Sequence, residues 1–170
     1  NDFAQGNAGN DILRGNGGDD RLNGSGGHDQ LFGEGGNDRL LGGAGRDVLD
    51  GGSENDFLSG QGGADLLSGG DGHDRLKGGI GHDLLEGGDG DDTLNGGIGD
   101  DELEGGHGND ILRGGAGNDK YYYILGNGSD PTNPSDGDDR IEENGGGGAD
   151  AMEWIAENVI NASDLSLINA

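Results

Sequence analysis

A carboxylate stands at every ninth residue of this chain. The positions run Asp2, Asp11, Asp20, Asp29, Asp38, Asp47, Asp56, Asp65, Asp74, Asp83, Asp92, Asp101, Asp110 and Asp119 without a slip. Acidic oxygens in a regular row suit a hard divalent cation. Calcium takes six to eight oxygens at about 2.3–2.6 Å, from carboxylates and backbone carbonyls alike. Magnesium demands a tighter octahedron and keeps its water, and zinc prefers His or Cys. Asp and Gly as solvated turn residues would explain one copy, but not a run in unbroken register.

The elements that must hold these carboxylates follow from the rest of the period. Two residues after each Asp from Asp11 to Asp110 stands a Leu, from Leu13 to Leu112, and Tyr121 takes that place in the next copy. Gly opens every copy from Gly6 to Gly114, giving thirteen contiguous repeats across residues 6–122, such as GGDGHDRLK (69–77). A nine-residue period is neither helical nor a plain strand alternation. It reads as a six-residue Gly-rich turn and a three-residue strand, with Gly at the first, second and fourth places taking backbone angles closed to other residues. The central strand residue, Leu, points inward and its neighbours outward. Two repeats make an 18-residue coil, and stacked coils make two short parallel sheets with a thin Leu core. The expected fold is all-β: a parallel β-roll, or β-solenoid, with a small irregular C-terminal β cap.

Composition adds an energetic condition. The chain has 170 residues, 44 of them Gly, a net charge of −26 and 28% hydrophobic residues. Low apolar content with high net charge marks chains that cannot offset their own ordering entropy. No Cys is present to supply disulfides. Repeats n and n+2 share one edge of the roll, where two carboxylates about 5 Å apart repel by about 3 kcal/mol at an effective dielectric of 20. Cations between them supply the missing stability. Some 11 same-edge pairs imply about 11 ions of charge +2, which moves the net charge to about −4. The acidic balance excludes nucleic acid and anionic membrane surfaces as partners, and no apolar run is long enough to insert in a membrane.

The pattern GGxGxDx(Leu)x resembles the RTX (repeat-in-toxin) calcium-binding nonapeptide family, closely over residues 1–122 and loosely over 123–170. The resemblance implies ions held between neighbouring loops of one edge by the repeat Asp carboxylates and by loop carbonyls such as those of Gly42, Ala44, Gly69, Asp71, Gly78, Ile80, Gly87, Asp89, Gly96, Ile98, Gly105 and His107. Glu54 stands at a fourth place where Gly is expected, and positive φ strains it; its carboxylate is a candidate substitute ligand. The second place is Asn7, Asn16, Ser25, Glu34 or Gln61 in five repeats, changes that the family tolerates. His28, His73, His82 and His107 fall at turn places and read as solvated loop residues.

Residues 123–170 read as a capping segment. Degenerate repeats place Asp130, Asp139 and Asp150 at the Asp position, with Thr132, Ile141 and Met152 inward, and residues 152–155 and 165–168 read as strands around a turn. Tyr121, Tyr122 and Tyr123 cluster at the end of the regular repeats, where a solenoid needs covering. In the family such a flank caps the roll and helps nucleate folding. Residue 1 falls mid-repeat, so an excerpt of a larger protein is expected.

No HExxH, GxSxG or GK[ST] motif is present, so no catalysis is expected of these residues. Only Thr93 and Thr132 could contribute to an ice-binding Thr ladder. The resemblance implies a secreted, extracellular or cell-surface module: disordered where calcium is low, exported unfolded through a type I secretion channel, and folded on Ca²⁺ outside. The alternative is a rigid calcium-dependent spacer of an adhesin or surface-layer protein. One outer face is expected to carry Arg21, Arg39, Arg75, Lys77 and Arg113, and the other a Val48–Leu66–Leu84 stripe. That stripe reads either as plain β-propensity or as a dock for another domain of the parent protein.

Overall fold

The computed structural model describes residues 1–125, 139–142 and 151–156. Their strands, in chain order, are β1 (Phe3–Ala8), β2 (Ile12–Gly17), β3 (Arg21–Gly26), β4 (Gln30–Gly35), β5 (Arg39–Ala44), β6 (Val48–Ser53), β7 (Phe57–Gly62), β8 (Leu66–Asp71), β9 (Arg75–Ile80), β10 (Leu84–Asp89), β11 (Thr93–Ile98), β12 (Glu102–His107), β13 (Ile111–Ala116), β14 (Lys120–Leu125), β15 (Arg140–Ile141) and β16 (Ala151–Ala156). The odd strands form one eight-stranded sheet and the even strands another. Every pairing is parallel, and from β1 to β14 each residue lies opposite the one 18 positions on, as in Leu40 opposite Leu58. The expected all-β solenoid of 18-residue coils is the observed fold.

One side chain per repeat makes the core. Leu22, Leu31, Leu40 and their successors to Leu112, then Tyr121, are all at most 2% exposed. Ala4 and Leu13 at one end and Ile141 at the other pack against this column while half-covered. A single coil buries almost none of its Leu surface alone, so stability accrues only by stacking. Tyr121 fits the Leu place because its hydroxyl accepts the Gly114 backbone N–H at 2.8 Å, which leaves its polar atom satisfied.

The strands are longer than the period suggests. From β1 to β13 each is six residues, not three: the x-Leu-x triplet (Ala4 in β1) plus the next three residues. In β5, Arg39, Leu40 and Leu41 pair with Phe57, Leu58 and Ser59; pairing skips Gly42 and resumes at Gly43 and Ala44. The ladder therefore turns the corner with the chain and satisfies backbone groups that an irregular turn would expose.

The three Gly places differ in cause. Positive φ occurs at the second and fourth places, as at Gly43 (117°) and Gly45 (133°), but not at the first. The five second-place substitutes share it: Asn7, Asn16, Ser25, Glu34 and Gln61 have φ between 70° and 78°. First-place Gly is required for space, as the metal site makes clear.

Beyond β14 the sheets continue for one more coil. β15 pairs with β13, setting Ile141 opposite Leu112, and β16 pairs with β14, setting Met152 opposite Tyr121. The step from Asp110 to Asp139 is 29 residues instead of 18, and Arg140–Ile141 is the strand that next pairs in the first sheet. Thr132 and the expected strand at 165–168 lie outside the described residues. Among the described residues no helix is long and apolar enough to cross a membrane.

Candidate metal centre

The repeat Asp residues form two rows, one along each edge. Asp20, Asp38, Asp56, Asp74, Asp92 and Asp110 lie on one; Asp29, Asp47, Asp65, Asp83, Asp101 and Asp119 lie on the other, and all are at most 3% exposed. Asp2 and Asp11 begin the two rows. Each carboxylate reaches back one coil. Its Oδ1 accepts the backbone N–H of the Asp 18 residues earlier, as from Asp74 to Asp92 at 2.7 Å and from Asp83 to Asp101 at 2.9 Å. Asp139 continues the first row by accepting from Asp110 N–H at 3.0 Å, at the position its strand register gives it. Asp130 and Asp150 lie outside the described residues.

The second oxygen decides what the row can do. Oδ2 of every repeat Asp from Asp11 to Asp110 is buried and has no hydrogen-bond partner. A buried acceptor without a partner costs about 1–3 kcal/mol, and more when charged. Such groups persist in native folds where an ion or ligand engages them. First-place Gly makes room beside each one. A Cβ added at Gly15 would lie 2.6 Å from Asp20 Oδ2 and 2.7 Å from the Gly33 carbonyl oxygen one coil on. The same pairing of an Oδ2 with a carbonyl from the next coil brings in Gly42 (beside Gly24), Gly69 (beside Gly51), Gly87 (beside Gly69), Gly96 (beside Gly78) and Gly105 (beside Gly87). Gly78 is itself a buried first-place Gly.

Third-place carbonyls have a partner already. Those of Ala44, Ile80, Asp89, Ile98 and His107 accept from the fourth-place N–H of the preceding coil at 2.6–2.9 Å. A carbonyl oxygen has two lone pairs, so one remains for a second interaction. Asp71 holds the equivalent third place in β8. Among the described residues no three His, Cys, Asp or Glu side chains converge. A cation here must draw most of its oxygens from the backbone, which suits calcium and not zinc.

Electrostatics agree with the orphaned oxygens. Burial, first among the causes, pushes Asp56, Asp65, Asp101 and Asp110 up to about 7 and Asp92 to about 6. Asp38, Asp47, Asp74 and Asp83 move the same way for the same first cause. The donated backbone N–H opposes the rise, and repulsion from row neighbours adds to it in most of them. The sequence argument assigned the cost to mutual repulsion. Desolvation is the larger part.

A second ladder escaped the sequence reading. At the fifth place, just before each Asp, side chains reach forward and accept the backbone N–H one coil on: Asn10 from His28 at 2.8 Å, Asp91 from Asn109 at 2.9 Å, Asp100 from Asn118 at 2.9 Å. His28, His73 and His82 do the same with Nδ1. These His side chains are exposed, yet they tie coils together instead of merely facing solvent. The signal was present as the preference for Asn, Asp and His at that place. Asp19, Asp91 and Asp100 sit below the usual carboxylate range because of the backbone N–H each accepts.

Glu54 has φ 73°, the strained geometry expected of it. Its Oε2 accepts from Gly36 N–H and from Ser53 Oγ–H, both at 2.9 Å, so the carboxylate is committed to bracing its own loop. Gly36 would otherwise donate to a third-place carbonyl, as its equivalents do. Replacing Glu54 by Gly relieves about 1 kcal/mol of left-handed strain and removes a negative charge that pushes Asp38 and Asp56 upward. The expected outcome is a higher thermal midpoint in calcium with no loss of bound ions, read by differential scanning calorimetry and a calcium titration.

The model of the RTX calcium-binding nonapeptide repeat matches residues 1–31, 23–58, 32–67, 50–85 and 86–121. The chain belongs to that family. The matched segments cover every regular coil and both Asp rows, so the RTX assignment rests on the residues that carry the orphaned oxygens. None of the curated proteins compared matches the chain. The family is a calcium-binding one.

Proposed function

We propose that this RTX roll is a calcium-triggered folding module of a larger type I secreted protein. The chain stays unfolded in the low calcium of the cell, passes an export channel in that state, and winds into the roll in extracellular calcium. The observation that carries this reading is the buried, partnerless Oδ2 repeated in coil after coil. Bound Ca²⁺ supplies the positive charge and the electron-pair acceptor that these oxygens lack. The ligands are the Asp carboxylates from Asp2 to Asp119, with Asp139 continuing a row, together with first- and third-place carbonyls of the loops. About 11 ions per chain satisfy neighbouring Asp pairs.

Residues past 122 act as the cap. Met152 and Ile141 sit opposite the last Tyr and Leu of the core columns, where they extend the stack by a coil. Circular dichroism and equilibrium dialysis test the proposal together. Strand signal should appear only with calcium, saturate near 11 ions, and not be restored by equal magnesium. Full strand signal in excess chelator at neutral pH refutes it.

A further inference from the structure

The two outer faces of the roll carry opposite charge over their middle coils, most directly at the β5–β6 and β9–β10 levels. Along the first sheet from β3 to β13, the outward places hold Arg21, Arg39, Arg75, Lys77 and Arg113 and not one Asp or Glu. This segregation is strong in a chain with 9 basic and 35 acidic residues. Along the second sheet from β6 to β12, the outward places hold Asp50, Glu86, Glu102 and Glu104 and not one Lys or Arg. Among the described residues, Arg21, Arg39, Arg75, Lys77, Asp50 and Glu86 form no ion pair within the chain.

The apolar residues are arranged in the same way. The Val48–Leu66–Leu84 stripe is aligned as the sequence suggested, with Leu66 and Leu84 about 40% exposed. On the first sheet, Phe57 stands between Arg39 and Arg75 in the register, Leu41 follows Arg39 on β5, and the Arg39 guanidinium lies 4.3 Å from the centre of the Phe57 ring. Each odd strand shares a coil with the even strand after it. Sliding one roll sideways, without rotation, brings the second-sheet face of one copy over the first-sheet face of another at matching levels. The two strands of a coil run in opposite directions, so Asp50 then meets Arg39, Val48 meets Leu41, and Glu86 meets Arg75 with Lys77 on the same strand. Both faces have the same coil spacing, about 4.8 Å, so the match stays in step along the whole stack.

We propose that the calcium-loaded roll associates laterally with a second copy of itself, first-sheet face against second-sheet face. The contact is heterologous, so it does not close on itself and extends to open stacks. It rests on the calcium reading, because unfolded chains have no faces and metal-free edges would repel. Seven coils of about 4.8 Å and a face about 10 Å wide bury only about 700 Å² in all, below the range of stable dimers. The association is therefore weak and salt-sensitive.

Sedimentation velocity on the calcium-loaded chain at low salt tests it, with circular dichroism confirming in each sample that the roll has formed. The wild type should associate as concentration rises into the hundreds of micromolar, and added salt should reverse it. R75E/K77E and D50K/E86K should each fold with calcium, and each should associate at least tenfold more weakly alone. Mixing the two should restore association, because the unchanged second-sheet face of R75E/K77E meets the unchanged first-sheet face of D50K/E86K. Monomeric wild type throughout overturns the proposal, as does undiminished association of either variant. Failure to fold with calcium would instead strike the reading beneath it. Association that appears only with an acidic segment of a longer parent chain assigns the basic face to that partner and overturns self-stacking.

Discussion

In chelator at pH 7.5 the chain is expected to show no strand signal, and acidification to about pH 5 should recover part of it with no metal present. The reason lies in the sign of the carboxylate shifts. Burial holds Asp56, Asp65, Asp101 and Asp110 up at about 7 and Asp92 at about 6, against 3.8 for an Asp in water. A carboxylate whose folded value is raised binds its proton more tightly in the roll than in the unfolded chain, so its penalty is absent below about 3.8 and complete above about 7. Each pH unit in that window changes the balance by about 1.4 kcal/mol per group. For one such group across the window that is of the order of 4 kcal/mol, a large fraction of the 5–15 kcal/mol that stabilises an ordinary domain. A metal-free roll with every row ionised is therefore expected to be unstable. Protons and calcium are thus alternative ways to relieve the same charge, and the calcium midpoint should fall as pH is lowered towards 5. Far-ultraviolet circular dichroism across pH 7.5 to 5 in chelator checks this. The sequence isoelectric point near 4.1 makes dilute samples and pH above 4.5 necessary. A chain equally unfolded at both ends of the window would show that carboxylate burial is not what opposes the metal-free roll.

The Leu column and the Asp rows were legible because each depends on one side chain per period, and periodicity is what a lone sequence displays best. Place eight could only face inward, and an 18-residue coil follows from two such places. The conformational details were less legible because they are properties of the backbone ladder. Nothing in GGxGxD says that pairing continues around the corner through Gly43 and Ala44, or that first-place Gly is chosen for room beside Oδ2 and not for its torsion angles. The source of the electrostatic cost was misjudged for a related reason. Repulsion can be estimated from spacing, but desolvation depends on how completely neighbouring coils enclose the carboxylate, and that enclosure is tertiary. The fifth-place ladder is hidden in the sequence because Asn, Asp and His suit an exposed turn on their own account, whereas their acceptor atoms lie one coil from a donor. Past Tyr122 the period fails, and an 11-residue excess between Asp110 and Asp139 (29 against 18) cannot be located without strand register.

Two substitutions within a single repeat should separate the carboxylate's two tasks. Asp92 lies inside the first row, its Oδ1 accepting Asp74 N–H at 2.7 Å and its Oδ2 buried beside Gly87 and the Gly105 carbonyl oxygen. In Asp92→Asn the amide oxygen keeps the Asp74 bond, while the amide nitrogen replaces the orphaned oxygen and can donate to that carbonyl. The charge penalty disappears, so the metal-free roll gains of the order of 3 kcal/mol at pH 7.5, the cost of keeping Asp92 ionised when burial lifts it to about 6. The calcium count should nevertheless fall by one or two, because Asp92 belongs to a pair with each row neighbour. Gly87→Ala acts on the same spot with the opposite effect on the metal-free state. Its Cβ meets Asp92 Oδ2 and the Gly105 carbonyl at once, and neither a backbone oxygen nor a carboxylate tied to the coil before it can withdraw cheaply. Overpacking of this kind costs about 1–3 kcal/mol with or without metal. Equilibrium dialysis should therefore find fewer ions in both variants, while urea titration at pH 5 in chelator should find D92N more stable than wild type and G87A less. If D92N binds the full complement of calcium, Oδ2 is not a ligand and the rows are structural ladders only. If D92N destabilises the metal-free roll, the buried charge is not what calcium relieves.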